Sequence, residues 1–294
     1  MKIVKLKGGL GNQMFQYAFA KLLEKTTSEI IKLDYFYFLS ISSDLIRKPR
    51  IKRFNLTLPA AKKADVLSAC MFNHTGSPLS FWYKVKIFLE SNLNKNYVLE
   101  TNRAYIPPAT IEHKTYFDGY WQSWRYVDEV IEKLKEDFTP NSPLSEKTLI
   151  TQEIMKMQNA VFVGVRRGDY STKIKHFGIF DSMYYQNAMA KIDAQIENPV
   201  YYIFSNDIPW CKTNIDWGKH EIIYREPKDQ TDDFEELMLM ASCQHAIIVN
   251  SSYHWWGATM IENPNKIICC PKKWWFDDAP IEIIPDGWTR IGGK

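Results

Sequence analysis

From residue 160 onward short apolar runs alternate with helical patterns, and that alternation constrains the fold more than any other feature of the chain. The runs read as strands over 160–165, 200–204, 221–224, 246–249 and 266–270, with helices over 181–192, 233–243 and 253–261. Strands apolar on both faces and separated by helices belong to a parallel sheet covered on both sides. The expected fold class is α/β.

The first half carries the same grammar less regularly. Residues 2–7 read as a strand, Gly8-Gly9-Leu10-Gly11-Asn12 as a tight loop and 13–25 as a helix. A strand follows over 29–33, then helical candidates over 60–71 and 81–93, a strand over 116–120 and a helix over 124–138. A chain of 294 residues exceeds the usual single-domain size. The turn formers of Thr139-Pro-Asn-Ser-Pro-Leu-Ser145 place the boundary, giving domains 1–140 and 146–294.

A net charge of +3 with dispersed basic residues disfavours nucleic acid as a partner. Ten Trp suit rings that stack on sugars and equally suit large cores. Five Cys without C-x-x-C spacing do not form a disulfide framework, which points to a reducing, cytoplasmic setting. The strand-like amino terminus does not read as a signal peptide, and no apolar run approaches the roughly 20 residues of a membrane span. Peripheral contact with the inner membrane face stays open.

In open parallel sheets ligands bind beyond the carboxyl ends of the strands. After 160–165 stand Arg166, Arg167 and Asp169, either a phosphate clamp or a solvated ion-pair group. After 246–249 stand Asn250, Ser251 and Ser252 at the start of a helix, an anion site, an N-cap, or both. Two such ends in one sheet favour a diphosphate ligand. The glycine loop lacks the Lys and hydroxyl of a P-loop. The His residues form no H-E-x-x-H pair and no D-x-D occurs, so no metal or other cofactor is expected, and Arg and helix dipoles must carry a leaving diphosphate's charge.

Taken together, Gly8-Gly-Leu-Gly-Asn-Gln-Met-Phe-Gln-Tyr-Ala18, Asp118-Gly-Tyr-Trp-Gln122, Arg166-Arg-Gly-Asp-Tyr170, Tyr184-Tyr-Gln-Asn-Ala188 and the run from Leu239 to Ala258 resemble the alpha-1,2-fucosyltransferase family. The resemblance implies the B-type glycosyltransferase architecture of two facing Rossmann-like domains, the first on the acceptor side and the second holding GDP-fucose. It implies transfer of L-fucose to the 2-hydroxyl of a galactose-type acceptor, with inversion. Arg166, Asn250, Ser251 and Ser252 would hold the diphosphate. Gly11 and Asn12 would approach fucose and acceptor from the first domain, with Trp121, Trp255 and Trp256 walling the cleft. Asp169 is the candidate base. Transfer of another GDP-6-deoxyhexose, or nucleotide or glycan binding without turnover, are the alternatives.

Two positions depart from the family pattern. Where it has Asp, this chain has Glu236, read as an acceptor for guanine N1–H and N2–H or as a surface acid. Where it has His, two residues before the first Arg, this chain has Gly164. His176 and His245 are the candidates to supply the missing imidazole, with His176 favoured because a loop can swing into a site.

Overall fold

The computed structural model describes residues 1–39, 48–72, 80–167, 180–226, 232–275, 280 and 282–292. The chain divides into two compact units, Met1–Asn141 and Ser142–Lys294. Each is built on a parallel sheet.

In the first unit β1 (Lys2–Lys5), β2 (Ile31–Asp34), β3 (Tyr97–Leu99) and β4 (Tyr116–Asp118) stand in the order β2-β1-β4-β3. Its helices are α1 (Leu10–Thr26), α2 (Lys63–Ala69), α3 (Phe81–Leu93), α4 (Pro108–Ile111), α5 (Trp124–Asp128) and α6 (Ile131–Asp137). The glycine sequence is a shorter turn than expected. Gly8 alone takes a left-handed φ of 79°, Gly9 is the N-cap, and α1 already runs through Gly11 and Asn12. The single helix expected over 124–138 is two, separated around Val130, whose ψ of 12° lies outside the helical range. Side-chain oxygens bonding to the backbone compete with helix continuation elsewhere, but here Val130 makes no cap bond and the break is a backbone bend.

In the second unit β5 (Ala160–Val165), β6 (Val200–Ser205), β7 (Glu221–Tyr224), β8 (His245–Ile247), β9 (Ile268–Pro271) and β10 (Thr289–Ile291) form the order β10-β9-β8-β5-β6-β7. The helices are α7 (Glu146–Lys156), α8 (Ser182–Asp193), α9 (Ile208–Asn214), α10 (Asp233–Ala241) and α11 (Ser252–Thr259). Every residue of β5 is buried, as the unbroken apolar run requires of a central parallel strand. Its side chains alternate between two covered faces. Val161, Val163 and Val165 join Tyr184, Tyr185 and Met189 of α8 in one core, while Phe162 and Gly164 meet α11.

In the second sheet chain order reverses at one place, between β5 and β8, whereas in the first the helices after β1 and β4 pack on the same face, Phe19 of α1 against Tyr126 of α5. At such switch points the loops diverge to opposite faces and leave a crevice at the strand carboxyl ends.

Candidate active site

The β5/β8 switch point gathers the groups singled out on the sequence. Arg166 follows β5 directly, and Asn250 and Ser251 lead from β8 into α11. The first ladder bond of α11 runs from Trp255 N–H to Ser251 O at 2.9 Å, so the N–H groups of Ser252, Tyr253 and His254 precede the ladder. Ser251 occupies the N-cap position, yet its hydroxyl makes no capping bond. The helix terminus therefore presents backbone donors and a positive dipole end. Arg166 stands at the carboxyl end of β5, next to β8, from which the chain enters α11, and its charge reaches Tyr253 and His254.

Arg167 is engaged differently. Its guanidinium stacks over Trp210 at 3.9 Å and its Nε lies 3.6 Å from Asp207 Oδ2, while its N–H donates to Asn206 Oδ1. Of the two arginines, Arg166 is the better placed to meet an anion at α11. Asp169 and His176 lie outside the described residues.

Of the two candidates to replace the missing imidazole, His245 does not reach this strand end. His245 opens β8 at the far end of the strand, where its Nδ1 accepts from Ile267 N–H at 3.0 Å. Sequence reasoning passed over His254, on the first turn of α11, whose ring lies against Gly164. A methyl group at Gly164 would sit 2.6 Å from His254 Cγ and closer still to Nδ1. The side chain is 4 % exposed, and Nδ1 is buried without a hydrogen-bond partner among the described residues. Burial first, and then the Arg166 charge, hold the His254 pKa down to about 3, so the ring is neutral at physiological pH. A glycine inside a strand signals close approach of another group, and that was the signal available in the sequence.

Glu236 is buried on α10 and makes a two-point contact with Arg225, which follows β7. Arg225 Nη2 donates to Oε1 at 2.8 Å and Nε to Oε2 at 3.3 Å. The surface-acid reading is thereby corrected. Its neighbour Glu235 is spent on structure, accepting from Ser145 N–H at 3.0 Å and Thr148 Oγ1 at 2.6 Å.

The carboxyl ends of the neighbouring strands β1 and β4 carry a buried charge network. Asp118 accepts from Lys5 at 2.7 Å, Lys7 at 2.6 Å and Tyr97 at 2.7 Å. Burial alone would lower the Lys5 pKa and raise that of Asp118. The pairing outweighs it, holding Lys5 above and Asp118 well below their usual values. Beside it Gln122 Nε2 donates to Asn12 Oδ1 at 2.7 Å, while Gly11 is buried in the first turn of α1.

The tryptophans do not wall an opening. Trp121 is fully buried and stacks on Phe19 with centroids 4.1 Å apart. Trp255 and Trp256 are also buried, and Trp255 Nε1 donates to Ile283 O at 2.7 Å. Rings of this size are needed where helices pack on a sheet, and the cores claim them.

Two Rossmann-like α/β units, the second with an Arg and a helix amino terminus at its switch point, make up the B-type glycosyltransferase fold. The fold is shared with the NodZ alpha-1,6-fucosyltransferase, solved after soaking with GDP-fucose, at 12% identity and a TM-score of 0.50, covering 90% of this chain and 96% of that one. The sequence matches glycosyl transferase family 11 over residues 1–282, and the chain belongs to that family. It is 30% identical to an alpha-1,2-colitosyltransferase of Escherichia coli, over 98% of each chain. It is 26% identical to the O-antigen biosynthesis glycosyltransferase WbnK of Escherichia coli, over 97% of this chain and 99% of that one. With the galactoside alpha-(1,2)-fucosyltransferase 2 of Gorilla gorilla gorilla it shares 25% identity over 85% of this chain and 66% of the relative. Among the described residues no helix is long and apolar enough to cross a membrane.

Proposed function

We propose that the chain moves L-fucose from GDP-β-L-fucose to the 2-hydroxyl of a galactose-type acceptor, with inversion and without a metal. The observation that carries this reading is that Arg166 and the amino terminus of α11 follow the adjacent strands β5 and β8 at the one switch point of their sheet. In the reaction the acceptor hydroxyl oxygen bonds to fucose C1 as the bond from C1 to the β-phosphate oxygen breaks. The electron pair leaves with GDP, and the hydroxyl proton passes to a base. Arg166 and the N–H groups of Ser252 and Tyr253 stabilise the charge that grows on the diphosphate.

Glu236, oriented by Arg225, accepts from one guanine N–H through a lone pair its two-point contact does not use. Asp169 is assigned the base and the first unit, with Asn12, the acceptor. The E. coli colitosyltransferase supports a second donor reading, because colitose is L-fucose without its 3-hydroxyl. Turnover with GDP-fucose and GDP-colitose in parallel, each with a galactoside, tests the assignment. Faster GDP release from GDP-fucose upholds it, and preference for GDP-colitose replaces it with the second reading.

A further inference from the structure

The most exposed apolar surface among the described residues is the outer face of α3. Phe81, Trp82, Phe88 and Leu93 are 71, 73, 65 and 60 % exposed on a helix of 13 residues. The helix is not short of anchors on its other side. Tyr83 accepts from Lys5 Nζ at 2.7 Å, Ile87 packs against Ile3, Val66 and Cys70, and Glu90 accepts from Phe72 N–H at 2.7 Å and Asn94 Nδ2 at 3.0 Å. Residues 83, 87 and 90 form one stripe at helical spacing, and that stripe fixes which face looks outward.

At 3.6 residues per turn the outward arc runs Phe88, Phe81, Asn92, Val85, Leu89, Trp82, Leu93, with Asn92 its one polar residue. Lys84 borders it on one side and Lys86 on the other. The one acid of the helix, Glu90, is turned inward and fully buried. A mostly apolar face with aromatic residues, interrupted by Asn92, bordered by lysines and without an outward acid of its own helix, does not suit water. It does suit the plane of a lipid bilayer. The rings enter the boundary between headgroups and acyl chains, and the lysine stems lie along it with their ammonium groups among the phosphates. The absence of outward carboxylates selects an anionic surface.

We propose that α3 docks this protein on an anionic lipid bilayer, lying in the interface rather than crossing it. Such docking would hold the enzyme where an acceptor glycan is attached to lipid, but it rests on α3 alone and not on the donor assignment. The test is flotation of the full chain with vesicles of phosphatidylcholine, with or without phosphatidylglycerol. The parent chain is expected to float with the phosphatidylglycerol vesicles and to stay behind with phosphatidylcholine alone. Trp82→Ser with Phe88→Ser, and separately Lys84→Glu with Lys86→Glu, should each weaken flotation by about tenfold or more while leaving turnover on a soluble galactoside unchanged. Trp82, Lys84 and Phe88 are exposed and Lys86 lies half-buried at the edge of the face, so unchanged turnover also reports that the variants fold. A parent chain that does not float, or variants that float as well as the parent, would overturn the proposal. So would a parent that sediments as a dimer and a Trp82→Ser, Phe88→Ser variant that sediments as a monomer without flotation of either, because the face would then join two copies of the chain.

Discussion

The ring of His254 occupies the space that any side chain at Gly164 would need. The strand gives up a Cβ and the helix supplies an imidazole in its place, beside Arg166. The two positions should therefore behave as one unit. Gly164→Ala alone forces the buried ring aside and should cost about 1–3 kcal/mol. With His254→Ser in the same chain the added methyl has room, and most of that cost should vanish. Urea denaturation of the parent, both single variants and the double variant gives the coupling directly. Additive effects would mean that the two residues are independent.

The same ring sets a pH dependence of stability. Its pKa is held at about 3 in the folded chain against an ordinary 6.5, so between those values the unfolded chain binds a proton that the folded chain does not. Stability should rise with pH across that window and level off above it, with a slope on the order of 1.4 kcal/mol per pH unit for one proton. Burial lowers the His245 pKa too, and adds a slope of the same sign. His254→Asn should flatten the dependence in part, as read from denaturation midpoints between neutral and mildly acidic pH. An unchanged slope would show that His254 titrates normally.

Arg166→Lys keeps a positive charge but loses the planar fork that binds two phosphate oxygens together. Weaker GDP binding is expected, with turnover lower by about 10² or more. Calorimetry and initial rates separate the two effects. Near-normal turnover in Arg166→Ala would remove Arg166 from the reaction.

Glu236→Gln should act on both stability and binding. Replacing the carboxylate leaves Arg225 buried with half of its partner, at a cost of about 3 kcal/mol. The amide NH2 also meets the guanine donor instead of accepting from it, so GDP affinity should fall. Loss of stability with unchanged GDP affinity would make the Arg225–Glu236 pair purely structural.

The parts of this molecule that could be read from the sequence are those written in contiguous residues. The run Ala160–Val165 announces a buried strand, and the apolar spacing of residues 81–93 matches α3 end to end. Strands β3 and β10 have three residues each and gain their order from the neighbour they pair with, which no local pattern records. Helices α7 and α9 were not anticipated, although Ser145 and Asp207 cap them with side-chain bonds to Thr148 and Trp210 N–H. At the site, Arg166 and Ser251 could be found because they follow recognisable strands. The partnership of Gly164 with His254 joins residues far apart in the chain, and only packing reveals it. The same holds for Arg225 and Glu236, whose charges meet because the residue after β7 reaches the first turn of α10.

The central claim is tested most directly by GDP release from GDP-fucose in the presence of a galactoside, in excess EDTA, with the product's linkage and anomeric configuration read by NMR. GDP release should depend on the acceptor, the product should carry an α-linkage to the 2-hydroxyl, and a 2-deoxygalactoside should give no release. Acceptor-independent release, or activity lost to EDTA and restored by Mg²⁺ or Mn²⁺, would contradict the claim.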